Sequence, residues 1–216
     1  MLENALEITP EKLKSKVSPF ELHTWDNSQD KKIIKPVKEF SKQIYKEAGY
    51  SEYETVDLDN WSKWFYVTYD GYHQAAMRVV EKTEENRIPL EIAQRSPSGE
   101  HYNLNNTNVG DWNSVSFRQT ILGAQAFKIA GKAVAEYCLN LNFNLVYGLI
   151  NPRWKGLHRV YLDNGAVPSN EFTDSVYFPG CKLSGELALF QIIEIGKNTL
   201  QRRPFGEFRG KKLLHK

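Results

Sequence analysis

VGDWNSVSFRQTILGAQAFKIAGKAVAEYCLNLNFNLVYGLINPRWKGLHRVYLDNGA, residues 109–166, reads as a strand, a small-residue turn, an amphipathic helix, a second strand and a short helix. Apolar side chains at 122, 126, 129, 133 and 137 recur every three or four positions, which predicts one buried helical face. Before the helix, Val115 and Phe117 alternate around Ser116. After it, Phe143-Asn144-Leu145-Val146-Tyr147 is rich in strand-forming residues. A strand that enters a helix through Gly123-Ala124 leaves unsatisfied N–H groups at the helix start with no bulky side chain over them. Such an end can receive an anion or phosphate; it can equally be a plain strand–helix unit in which Gly123 packs against the sheet.

The second half of the stretch adds detail. Asn151-Pro152 follows a strand directly, a short helix carries Tyr161, and Gly165-Ala166 closes the turn after it. This order resembles the acyl-CoA-binding half of the GNAT acyltransferase superfamily. The resemblance implies an α/β (α+β) fold: a single domain with a mixed, mostly antiparallel twisted sheet flanked by helices on both faces. A V-shaped splay opens between the fourth and fifth strands. In that comparison Asn151 falls on the family's Asn and Tyr161 on its general-acid Tyr. Gly123 and Ala124 fall in the phosphate loop. That loop departs from the usual (Gln/Arg)-x-x-Gly-x-(Gly/Ala), because Thr120 precedes Gly123 by three and Gln125 follows it by two.

The 216 residues allow one sizeable core and are short for two. A net charge of +2 is too small to point to nucleic acid. Cys138 and Cys181 form no CxxC pair, and Cys138 inside the long helix reads as a buried thiol. His23, His73, His101, His158 and His215 have no ligand-like spacing, so no metal is expected. No run of eighteen apolar residues predicts a membrane span, and MLENALEITPEKLK lacks an apolar leader segment, which makes the cytoplasm the expected location.

Residues 1–34 read as a polar arm, with Thr9-Pro10-Glu11 capping a short helix. From Lys35, Val37, Phe40, Ile44 and Tyr45 mark an amphipathic helix that stops at Ala48-Gly49. Residues 64–69 and 74–81 read as a hairpin turned at Asp70-Gly71, with Ala76, Arg78 and Val80 on one face and Met77 and Val79 on the other. Ile88-Pro89-Leu90-Glu91-Ile92-Ala93 reads as an edge strand, residues 95–108 as a loop or lid, and 186–195 as the last core strand. The domain is expected over 35–195. Residues 196–216 form a basic tail, either solvated or held by an anionic partner.

Within the superfamily, Tyr45, Glu47, Gly49-Tyr50, Asp57, Asp59, Met77-Arg78-Val79-Val80 and Ile88-Pro89-Leu90-Glu91 occur in the order of the autoinducer-synthase and long-chain N-acyl amino acid synthase branch. The resemblance implies acyl transfer from an acyl-CoA or an acyl carrier protein to an amine, with no covalently bound cofactor. It also implies roles. Val115, Ser116 and Phe117 would supply an oxyanion N–H, and Tyr161 would protonate the leaving thiolate. Glu91 would act as a base through water. Asp57, Asp59 and Arg78 would bind a small amino-acid-like acceptor. Each of these also has a purely structural reading: a packed Tyr, an exposed strand carboxylate, an ion-pair cluster. Autoinducer synthases carry Trp-Glu-x-x-Arg-Phe where this chain has Trp112-Asn113-Ser114-Val115-Ser116-Phe117, which argues against S-adenosylmethionine as acceptor. A general N-acetyltransferase using acetyl-CoA, and a non-catalytic binding module on the same fold, are the alternatives.

Overall fold

The computed structural model describes residues 19–51, 54–163 and 165–202. The expected cap at Thr9–Glu11, Asn164 and the tail beyond Arg202 lie outside these residues. The chain runs β1 (Phe20–Trp25), α1 (Lys31–Glu47), β2 (Ser62–Tyr69), β3 (Tyr72–Glu81), α2 (Pro89–Ile92), β4 (Gln94–Arg95) and β5 (Val109–Phe117). It continues as α3 (Ile121–Asn140), β6 (Leu145–Ile150), α4 (Lys155–Asp163), β7 (Val167–Pro168), β8 (Val176–Tyr177), β9 (Lys182–Leu183), β10 (Glu186–Leu187), β11 (Gln191–Gly196) and α5 (Lys197–Arg202).

Seven strands form one sheet in the order β1-β2-β3-β5-β6-β11-β7. Every pairing in it is antiparallel except β5–β6. That parallel register covers only Val109↔Leu145, Gly110↔Val146 and Asp111↔Tyr147. Beyond Asp111, β5 stays on β3 out to Phe117, while β6 stays on β11 out to Ile150. The two strands therefore part, and the sheet opens as a V between the fourth and fifth strands of the sheet in chain order.

Alternation along β3 assigns the faces. Met77 and Val79 pack with Phe127, Ala130 and Val134 of α3, together with Leu157 and Tyr161 of α4. Ala76 packs with Val37, Phe40 and Ile44 of α1. Helices thus cover both faces, which the two-residue period of the strand requires when both are apolar. The face of α3 that is buried is not the one its large residues mark. Gly123, Ala126, Phe127, Ala130, Gly131, Val134, Ala135 and Cys138 are buried, whereas Ile129 and Tyr137 are half-buried. Gly and Ala add little to a hydrophobic pattern, yet they let a helix approach a sheet closely.

Several elements differ from expectation. The sheet begins at Phe20, inside the stretch read as a polar arm: β1 is an edge strand with Leu22 exposed, so its apolar content is low. Helix α1 starts at Lys31 rather than Lys35, because the Asp30 side chain accepts from the Lys32 N–H at 2.8 Å, and Pro36 lies inside the helix. Residues 89–92 are a helical turn and not a strand; Pro89 occupies its first position, where its missing N–H is not needed. The last core strand is only Gln191–Gly196, since Glu186-Leu187 belongs to the small β9–β10 hairpin. The 95–108 loop is anchored: Arg95 donates to Asp174 at 2.9 and 2.6 Å, and Tyr102 packs edge-on to Phe172 at 4.8 Å.

Candidate active site

The sheet opening is built around a bulge in β5. Arg78 pairs with Asn113 and Ala76 with Ser116, so Ser114 and Val115 together oppose Met77. Ser114 takes the left-handed conformation, φ +51°. The extra residue in such a bulge leaves backbone groups outside the ladder and re-aims them. Helix α1 fastens this segment from above. The Tyr45 hydroxyl donates to the Val115 carbonyl at 3.1 Å, and the hydroxyls of Ser41 and Ser116 lie 2.8 Å apart.

Tyr161 closes the V from α4. It is 2 % exposed and stands edge-on to Trp112, with ring centroids 5.7 Å apart. Burial pushes its hydroxyl well above the ordinary phenol range, and Tyr45 and Asp111 push it further in the same direction. Tyr161 therefore holds its proton at neutral pH.

Asp111 sits at the last position where β5 pairs with β6 and is 0 % exposed. It accepts from the Asn113 amide at 2.9 Å and from the Leu90 N–H at 3.3 Å. Asn113 in turn accepts from Arg78 Nε at 2.6 Å, and the Arg78 guanidinium lies 5.5 Å from the Trp64 ring centroid. Burial raises the Asp111 carboxyl from 3.8 to about 6, against the lowering effect of these hydrogen bonds and of Arg78.

The raised Asp111 value has a consequence for stability. The folded chain keeps a proton that the unfolded chain releases above pH 3.8; this stabilisation is complete below that value and is lost as pH rises through about 6. The shift corresponds to a loss on the order of 3 kcal/mol. Asp111→Asn should flatten the stability profile across that window, measured as the urea midpoint at fixed ionic strength. An unchanged slope would assign the pH dependence to another group.

The residues singled out in the sequence are distributed as follows. Val115, Ser116 and Phe117 form the bulged end of β5; Val115 and Phe117 belong to the apolar cluster that holds Tyr161, whereas Ser116 is bonded to Ser41 of α1. Gly123 and Ala124 lie in the first turn of α3, where the Thr120 side chain accepts from the Gly123 N–H at 3.0 Å and the Thr120 carbonyl from the Ala124 N–H at 2.9 Å. A β-carbon at Gly123 would stand 2.0 Å from the Arg118 carbonyl oxygen, so only glycine fits there. Asn151 is buried behind β6. Its side chain accepts from the Arg153 N–H at 2.9 Å and hydrogen-bonds the Tyr50 hydroxyl, fixing that ring in the wall of the opening.

Asp57 and Asp59 hold a turn at residues 59–61. Asp59, 4 % exposed, accepts two 2.6 Å hydrogen bonds from Lys38, while Asp57 accepts from the Asp59 N–H at 2.9 Å. Glu91 is 3 % exposed rather than on a strand surface. One oxygen accepts from the Leu104 N–H at 2.9 Å; the other accepts from the Ile88 N–H at 3.0 Å and pairs with Lys82 at 3.0 Å. Both of its oxygens are engaged, an arrangement suited to holding α2 and the following loop in place. Sequence reading missed Tyr45, taken as one of a core stripe, and Asp111, whose signal is a lone acid in a strand that is buried on both faces.

A cleft of about 290 Å³ opens at the end of the V, lined by Ile44, Glu47, Tyr50, Phe117, Trp154 and Leu183 among others. The β9–β10 hairpin roofs it, tied down by Ser51 N–H to Lys182 O at 2.8 Å and Ser184 N–H to Gly49 O at 2.9 Å. Among the described residues no helix is long and apolar enough to cross a membrane.

No protein-family model matches this sequence, and no curated protein matches it. Solved structures do match. FeeM, an N-acyl amino acid synthase from uncultured soil microbes, is similar at 9 % identity with TM-score 0.53, over 84 % of this chain and 92 % of that one. The AHL synthase LasI is similar at 14 % identity with TM-score 0.52, over 81 % and 89 %. The spermidine N-acetyltransferase from Vibrio cholerae, solved with CoA and spermine, is similar at 11 % identity with TM-score 0.53, over 85 % and 98 %. The chain has the GNAT fold, which it shares with autoinducer synthases and acetyltransferases alike.

Proposed function

We propose that this chain is an N-acyltransferase that moves an acyl group from a CoA or acyl-carrier-protein thioester to the amine of a small acceptor. The observation that carries the reading is the opening between β5 and β6, with the Ser114–Val115 bulge on β5 and the buried Tyr161 of α4 packed on Trp112 of the same strand. Parted strands offer backbone groups to an amide-bearing arm such as the one that carries a thioester. The first-turn N–H groups of Ile121 and Leu122 would meet its phosphates, since those of Gly123 and Ala124 are already donated to Thr120.

The thioester carbonyl oxygen would accept from a backbone N–H of the Val115–Phe117 segment, which stabilises the charge that develops as the amine attacks. The neutral amine nitrogen bonds to the carbonyl carbon and gives up one proton to solvent. As the adduct collapses the carbon–sulfur bond breaks, and the departing thiolate takes the Tyr161 proton; solvent then restores it. No step needs a metal. Asn151 acts indirectly, by holding Tyr50 in the cleft wall.

A short acyl group is the second reading, and the base of the V supports it. Trp112, 1 % exposed, and Tyr161 pack edge to face there, and rings so placed favour an acetyl group over a long chain. Release of free thiol from acyl donors on addition of an amine tests the function and separates it from a module that binds without turnover.

A further inference from the structure

Helix α1 does more than cover the sheet where β5 is bulged. Ser41 and Tyr45 stand one turn apart on it and reach two successive residues of β5. The Ser41 hydroxyl lies 2.8 Å from that of Ser116, and the Tyr45 hydroxyl donates to the Val115 carbonyl at 3.1 Å. Ser116 also donates to the Ala76 carbonyl at 3.3 Å, which makes Ser41 the donor within the serine pair. Both serines are buried, at 5 % and 0 % exposure. The half-buried Tyr45 ring packs edge-on against Tyr50 and Trp154, with centroids 5.6 and 6.4 Å away, and this packing fixes where its hydroxyl points.

The direction of the next peptides follows from the ladder. The Arg118 N–H donates to the Gln74 carbonyl at 3.0 Å, so Arg118 turns its backbone groups towards β3. Such groups point to alternate sides along a strand. Those of Ser116 therefore face β3, and those of Phe117 face the opening left where β6 has parted. Of the two N–H groups that follow the bulge, the one on Phe117 is thus available to a substrate. A bulge loosens its strand, because two residues share one partner and part of the ladder is lost. A donor to a developing oxyanion has to be in place before reaction, and a displacement of about 1 Å is costly. Two side chains of a 17-residue helix supply the stiffness that the ladder lacks here.

Resting on the acyl-transfer reading, we infer that Tyr45 and Ser41 are positioning residues: they clamp the Val115–Ser116 peptide so that the Phe117 N–H is aimed at the thioester carbonyl oxygen. Neither side chain needs to touch the thioester or the amine; both act through β5.

Tyr45→Phe keeps the ring packing and deletes only the hydroxyl. The full chain is assayed with acetyl-CoA and with a long-chain acyl-CoA, each with a saturating primary amine. With the donor that the parent uses, kcat of Tyr45→Phe should fall about ten- to hundredfold. Its affinity for CoA, measured by calorimetry, should stay within about threefold, because the loss falls on the transition state. Ser41→Ala should cost about three- to tenfold, since Ser116 keeps the Ala76 carbonyl. Thermal midpoints check the folding of both variants. Amide exchange gives a readout that needs no turnover: the Ser116 N–H should exchange about tenfold faster in Tyr45→Phe, with that of Val79 in β3 unchanged. If the parent releases thiol while Tyr45→Phe keeps its kcat within about twofold, or loses donor affinity instead, the inference is overturned and acyl transfer stands. Unchanged exchange at Ser116 overturns it as well. A parent that releases no thiol from any donor removes the acyl-transfer reading itself, and with it the role assigned to these two side chains.

Discussion

Tyr161→Phe should lower turnover by about a hundredfold or more, the usual contribution of a positioned general acid. Donor affinity should stay within about threefold of the parent, since a single acid lost from the leaving-group step acts on the transition state and not on ground-state binding. The substitution deletes one oxygen and leaves the ring edge-on to Trp112, so the packing at the base of the V is retained. The hydroxyl is buried beside Tyr45 and Asp111, and its proton is firmly held at neutral pH. Both features are what a donor to a departing thiolate needs. Single-turnover and steady-state rates with a saturating amine read the effect. An unchanged rate would remove Tyr161 from the mechanism while leaving the fold assignment intact.

Lys82→Ala should destabilise the protein by about 3–5 kcal/mol, because it strands a buried carboxylate. Lys82 and Glu91 meet at 3.0 Å with 8 % and 4 % of their side chains exposed, and Lys82 also donates to the Asn86 carbonyl at 2.6 Å. For a chain of this size that loss lowers the thermal midpoint by roughly 6–20 °C. Glu91→Gln should also destabilise, since the amide can still accept from Ile88 or Leu104 but no longer answers the lysine charge. The outcome decides the role of Glu91. Loss of stability with activity per folded molecule retained marks a group that holds α2 in place; full stability with activity lost would make it the base that the family resemblance implies.

Much of the fold was legible in the chain because its main signals are local. Asp70-Gly71 marks the β2–β3 turn, β3 alternates cleanly, and the strand–helix–strand run from Val109 gives the order of the parallel pair. The misreadings have physical causes. A four-residue helix such as Pro89–Ile92 is too short to show a 3.6-residue period. The buried stripe of α3 is largely glycine and alanine, so the larger residues beside it dominate the pattern.

The site was less legible, since its residues take their meaning from partners distant in sequence. Asp59 is matched by Lys38, 21 positions away, and Tyr45 by Val115, 70 positions away. Asp57 and Asp59 look like a substrate-binding pair until Lys38 is found against them. Asp111 looks like any strand acid until α2 and Asn113 are seen to seal it from solvent.

Thiol release is the most direct test of acyl transfer at the open V. Purified protein is mixed with acetyl-CoA, a long-chain acyl-CoA or an acylated carrier protein, and free thiol is followed with and without a primary amine. Amine-dependent thiol release with a matching N-acyl product is the expected result, and the donor that supports it fixes the acyl class. Donor binding without amine-dependent release from any of the three would contradict the account and leave a GNAT fold that binds but does not transfer.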